Sequence, residues 1–164
     1  MIKVAFELNG ERVEIDVEPS VSLADVLRSQ LGATSVHLGC EQGVCGACAV
    51  LIDEQAVRSC LTLAVQADGR AITTAEGIAR RRGDAWQEIE STFVDNGAFQ
   101  CGFCTSGMVV ALEELLACGE AIEQSAIADQ LSGQICRCTG YEPIVDTFES
   151  VLASAGRLRE DGDR

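Results

Sequence analysis

One histidine and twelve lysines and arginines are all that 164 residues offer in basic side chains, against twenty-six aspartates and glutamates. A single histidine leaves no room for a histidine-based nucleophile-and-base constellation, and no glycine-rich nucleotide fingerprint is present, so substrate and nucleotide sites are expected elsewhere. A formal charge of -14 sets the chain against nucleic acid and makes a basic face on another protein the better electrostatic match. No apolar run approaches membrane-spanning length. The N-terminus alternates apolar and polar residues instead of carrying the apolar core of a secretory signal, so a cytoplasmic location is expected.

Cysteine is the type in excess, with nine. In a chain read as cytosolic, clustered cysteines point to metal rather than to disulfides. Gly39 to Cys48 reads GCEQGVCGAC, and after eleven intervening residues comes Cys60. The order C-x4-C-x2-C followed by a distant cysteine is the plant-type 2Fe-2S ligand pattern, which makes Cys40, Cys45, Cys48 and Cys60 one candidate set. Neither a helix nor a strand can aim three cysteines within nine residues at one centre, so this segment is expected to be a wrapped loop. Gly39, Gly43 and Gly46 suit the close backbone approach that such a loop needs. A zinc knot is the other reading, although zinc sites usually show paired short spacings.

A second constellation comprises Cys101-Gly102-Phe103-Cys104 and Cys136-Arg137-Cys138. Each pair precedes a predicted helix, whose N-terminus offers unpaired N–H groups and positive partial charge to thiolates. By itself a CxxC with a CxC fits zinc as well as iron; beside a plant-type pattern, iron is the better match. Cys118, with no short-spaced neighbour, is expected to be a small buried thiol. His37 lies three residues before Cys40, but four cysteines already complete the pattern.

Around these sites, the alternations Ile2 to Leu8 and Val13 to Val17 about Asn9-Gly10 predict a β-hairpin. Ser22 with Asp25 and then Gly32 bound one short helix. Short strands are expected over 49–52, 56–59 and 71–73. Period two gives way to helical spacing near Thr74, and Arg80-Arg81-Arg82-Gly83 reads as an exposed connection, so a boundary is placed there, between residues 1–76 and 77–157. Helices are expected at about 84–95, 105–117, 123–131 and 142–153, sharing a core as a four-helix bundle. Phe93, Phe103 and Met108 read as core filling. The charged residues 158–164 are expected to fray.

GCEQGVCGAC, Cys60, QCGFCTSG (100–107) and GQICRCTGY (133–141) together resemble the iron-sulfur subunit of the molybdenum hydroxylases, the family of xanthine dehydrogenase, aldehyde oxidoreductase and aerobic carbon monoxide dehydrogenase. The resemblance spans about Ile2 to Leu152. It implies an α+β fold, with an N-terminal plant-ferredoxin-like β-grasp domain and a C-terminal four-helix bundle domain. Each domain would hold one 2Fe-2S cluster, the second on Cys101, Cys104, Cys136 and Cys138. It also implies a large subunit with a molybdenum-pterin cofactor, often a medium FAD subunit, and an electron-relay role, with Gln100 and Cys138 beside the pterin. Ala49, Ser106 and Gln134 replace a usual threonine, proline and asparagine. A freestanding two-cluster ferredoxin and a zinc-stapled interaction module are the rival readings.

Overall fold

The computed structural model describes residues 1–162. β1 (Ile2–Leu8) and β2 (Glu11–Val17) form the expected hairpin, with Ile2 opposite Val17 and Leu8 opposite Glu11. Asn9 and Gly10 both take positive φ (53° and 87°), the conformation that matches a two-residue turn to the strand twist. β3 (Ala49–Ile52), β4 (Gln55–Arg58) and β5 (Ala71–Thr73) complete a five-stranded sheet in the order β2-β1-β5-β3-β4. Only β1 and β5 run parallel within it. Across this sheet packs α1 (Leu23–Asp25), which widens into a π turn over Val26–Gln30. Ser22 caps α1 as its sequence suggests: the Asp25 N–H donates to Ser22 Oγ at 3.1 Å.

Four helices of eight residues or more follow, α2 (Ala75–Arg82), α3 (Asp84–Asp95), α4 (Thr105–Ala117) and α6 (Glu142–Ser154). Between the last two, the expected helix at 123–131 is broken into short 3-10 turns flanking the single turn of α5 (Ile127–Gln130). The tail does not fray at Leu158: β7 (Leu158–Arg159) pairs in parallel with β6 (Ile122–Glu123), and the Ser125 N–H donates to Asp161 at 3.0 Å. Residues 163 and 164, also expected to fray, lie outside the described residues.

α2 replaces the exposed connection expected at the arginine triplet. Arg81 reaches Glu54 (2.7 Å) and Glu113 (2.8 Å), while Arg82 reaches Glu113 (2.7 Å), so Glu113, although 4% exposed on α4, is neutralised from the link itself. The two halves also share a strand. All four residues of β3 are buried: Val50 and Ile52 enter the core under the sheet with Val4, Phe6, Leu23 and Leu27, while Ala49 and Leu51 enter the helical core with Met108, Leu112 and Phe148. Side-chain alternation along one strand thus joins the two cores.

Glu76 on α2 fastens the loop after α1. Its carboxylate accepts from the Ser35 N–H (2.8 Å), the Ser35 hydroxyl and the Thr74 hydroxyl (2.5 Å). Burial opposes the charge, but these donors outweigh it and hold the carboxyl below its usual range. A depressed folded value stabilises the fold above the ordinary carboxylate range, and the contribution disappears as pH falls through the folded value. Acid titration followed by Ser35 amide exchange is therefore expected to show this contact loosening only below that range, and Glu76→Gln is expected to remove the pH dependence.

Candidate metal centre

Between α1 and β3 the chain forms no regular element from Gly32 to Cys48, as a ligand-wrapping loop requires. Glu41, Gly43 and Gly46 all take positive φ there. At Gly46 a side chain is also excluded by space, since a Cβ would fall 2.8 Å from the Gly133 carbonyl oxygen and 1.8 Å from the end of the Gln134 side chain. The turn aims two amides at one sulfur: Gln42 N–H and Cys45 N–H each reach Cys40 Sγ at 3.4 Å. These two donors, Gln42 first, draw the Cys40 thiol down to about 6, favouring the thiolate that a metal needs. Cys60, just beyond β4, touches Cys48 and lies in the field of Cys40. Burial first, then the Cys48 thiol, pushes Cys60 up to about 11.

The second set gathers where the α4 N-terminus meets the loop before α6. Cys104 is the N-cap of α4, and Cys101 and Cys138 place their sulfurs 3.6 Å apart. The Phe103 N–H, followed by Cys138, holds the Cys101 thiol low, while sharing a proton with Cys101 raises Cys138. Cys104 touches Cys136. Burial pushes Cys104 up to about 12; the same effect on Cys136 is outweighed by the Thr139 hydroxyl, 3.2 Å from its sulfur, so Cys136 is lowered. Both quartets expected from the spacing are therefore brought together.

Their geometry has a particular form. The thiols fall in twos, Cys40 with Cys45 and Cys48 with Cys60, then Cys101 with Cys138 and Cys104 with Cys136. Two thiolates on one tetrahedral centre with bonds of about 2.3 Å stand roughly 3.8 Å apart, close to the Cys101 to Cys138 separation. A binuclear cluster asks for such a division, two thiolates to each iron, so the donor sets fit 2Fe-2S.

The loops of the two sites touch each other. The Ile135 N–H, beside Cys136, donates to the Cys45 carbonyl at 2.9 Å. Arg58, two residues before Cys60, donates from Nη2 to the Gly133 carbonyl at 2.6 Å. Gln134, 4% exposed, turns its Nε2 to the Gly46 carbonyl (3.1 Å) and its Oε1 to Arg58 Nη1 (3.2 Å). The sequence marks Gln134 only as a replacement for the usual asparagine and gives no sign of Arg58; their partners lie in the other half of the chain, beyond any local pattern.

Two other residues behave differently from expectation. Cys118 is exposed at the α4 C-cap, where its thiol donates to the Leu115 carbonyl at 3.1 Å; the buried face of that helix belongs to Val109, Leu112, Leu115 and Leu116. Phe103 is 45% exposed rather than core, because its loop turns it toward His37; Phe93 and Met108 are buried. Gln100 is exposed beside Cys101. Since Cys118 stands outside both quartets, Cys118→Ser is expected to retain four irons per chain and both cluster signals, as read by iron determination and electron paramagnetic resonance.

Comparison with known proteins extends the match over nearly the whole chain. Residues 6–75 match the 2Fe-2S iron-sulfur cluster binding domain, and residues 74–149 the [2Fe-2S] binding domain. The nicotine 6-hydroxylase small subunit of Paenarthrobacter nicotinovorans is 43% identical over 157 residues, covering 96% of this chain and 92% of that protein. The caffeine dehydrogenase subunit gamma of Pseudomonas sp. strain CBB1 is 40% identical over 151 residues, 90% of this chain and 89% of the relative. Among solved structures, quinoline 2-oxidoreductase from Pseudomonas putida 86 superposes with a TM-score of 0.86 at 42% identity, covering 95% of this chain and 96% of the matched one. With an α+β fold of two 2Fe-2S domains, this chain belongs to the family of iron-sulfur small subunits of the molybdenum hydroxylases.

Proposed function

We propose that the chain relays electrons from a molybdenum-pterin centre in a large subunit toward FAD in a medium subunit, with the Cys101, Cys104, Cys136 and Cys138 site nearest the pterin. Electron transfer within an oxidoreductase complex is the role of the family. Each cluster, when bound, accepts and releases one electron at a time. Cys40, Cys45, Cys48 and Cys60 would hold the first cluster within residues 1–76, and the second quartet would hold the other within residues 77–157. Everything else this chain does is positioning and tuning, through N–H groups aimed at sulfur, burial, and exclusion of water.

The observation that carries the relay is the 2.9 Å hydrogen bond from Ile135 to the Cys45 carbonyl, which ties the neighbour of one proposed ligand to a proposed ligand of the other site. Exposure supports the order. Cys101, Cys138 and Gln100 face outward, as contact with a cofactor in another subunit requires, whereas no thiol of the Cys40 quartet is exposed, although Cys136 is buried as Cys48 is. An apolar hollow of about 300 Å³ between α3 and α4, lined by Phe93, Val94, Phe99, Gly102 and Val109, adjoins the same face. No helix among the described residues is long and apolar enough to cross a membrane, in keeping with work in the cytoplasm.

Rapid-freeze spectroscopy of the assembled complex tests this order. Emptying the Cys40 quartet with Cys48→Ala is expected to leave substrate reduction of the other cluster intact and to block flavin reduction. Emptying the second quartet with Cys104→Ala is expected to stop both. Reduction of the Cys40-site cluster at an unchanged rate in a Cys104→Ala complex would overturn the order.

A further inference from the structure

Phe103 reaches both cysteine sites at once. Its N–H supports the Cys101 sulfur, while its ring lies over Gly39, where a Cβ would meet Phe103 Cε1 at 3.1 Å and Cys45 Sγ at 3.3 Å. A phenylalanine left 45% exposed is not held in place by core burial. His37 holds it instead. The two rings stack with centroids 4.7 Å apart and 15° between planes, and His37 Nδ1 lies 2.8 Å from the Phe103 carbonyl oxygen. A carbonyl only accepts, so Nδ1 carries the proton and donates. The histidine is anchored from its own loop, where its N–H donates to the Ala47 carbonyl at 3.1 Å, and Ser106 Oγ lies 3.5 Å from the same Nδ1.

We infer that His37 is a positioning residue of the relay: by stacking on Phe103 and bonding its carbonyl, it holds the Cys101–Cys104 loop against the Cys40–Cys48 loop and keeps the Phe103 N–H aimed at Cys101. This rests on the relay reading above. The mechanism sets a direction. Hydrogen bonds to cluster sulfurs help set the reduction potential, and a donor stabilises the more negative, reduced form. A loosened Phe103 N–H therefore lowers the potential of the second cluster. It also changes the geometry between clusters, which their magnetic interaction reports.

The test uses the cluster-loaded chain with His37→Ala, His37→Phe, which keeps a stacking ring but no donor, and His37→Asn, which keeps a donor near Nδ1 but no ring. Losing one hydrogen bond and one ring stack together is expected to speed amide exchange at residues 103–106 by about tenfold in His37→Ala. Both paramagnetic signals are expected to persist, with the second-site potential lowered and the spin–spin splitting between reduced clusters altered. His37→Phe and His37→Asn should each recover part of the change, and they decide the matter if His37→Ala does not fold. Unchanged potential and splitting in the variants would overturn the inference, even with faster exchange, since a purely structural contact moves exchange alone. Absence of two signals in the unsubstituted chain would sink the relay reading itself, before any variant is compared.

Discussion

Cys45→Ala is expected to cost the β half much of its stability as well as one cluster. About 75 residues support only a marginal core, and small domains of this kind draw on staples. Here the core under the sheet is real, with Val4, Phe6, Leu23, Leu27, Val50 and Ile72 all buried, but the ligand loop contributes little of it. From Leu38 to Cys45 every residue is at least partly exposed. The loop is held by its bonds to Cys40 sulfur and by the Ile135 and Gln134 contacts. A cluster bridging this loop to Cys60 cross-links it to the end of β4. Removing a comparable covalent staple costs about 2–5 kcal/mol, and a loss of that size is expected in urea unfolding, with faster amide exchange from Val36 through β3. A chain that lost one cluster yet kept full protection of residues 1–76 would show that the staple is not needed.

Gly107→Ala should pull the two sites apart. Gly107 is the third residue of α4, in its first turn; alanine is ordinarily favoured over glycine in a helix, by about 1 kcal/mol in the interior. Its Cβ, however, would come 2.5 Å from the Gly46 carbonyl oxygen and 3.1 Å from the end of the Gln134 side chain. The first obstacle is backbone, held between Cys45 and Cys48, so it cannot swing aside as a side chain would. Overpacking of this kind costs about 1–3 kcal/mol. Relief requires α4 to retreat from the first loop, taking Cys104 with it and stretching the bond between Ile135 and Cys45. The expected result is a destabilised chain in which both cluster signals change shape. A gain in stability of the size that helix propensity alone predicts, with both signals unchanged, would mean that the loops do not bear on each other as described.

Features written in short-range chemistry were legible before any coordinates. Asn9-Gly10 specifies its turn through the positive φ both residues accept. The short cysteine spacings mark candidate ligands because a cluster draws some of its thiolates from close neighbours, although Cys60 and the 136–138 pair join from farther along the chain. α3, α4 and α6 carry enough apolar repeats to be read directly. α2 does not: Ala75 to Arg82 contains a single large apolar side chain, Ile78, and the reason for its arginines is Glu54 and Glu113, about thirty residues away in either direction. β6 and β7 are two residues each, below the length at which alternation can be seen. Phe103 was misread for a related reason. Aromatic character suggests a core, but the partner that fixes its place is His37, from the other site's loop.

Low-temperature electron paramagnetic resonance of the reduced chain, combined with iron, zinc and acid-labile sulfide determination, bears most directly on the two-cluster centre. Four irons, four sulfides and two distinct signals per chain are expected, with Cys48→Ala erasing one signal and Cys104→Ala the other. Zinc in place of iron, or either substitution erasing both signals while the chain stays folded, would contradict the assignment of two separate 2Fe-2S sites to these eight cysteines.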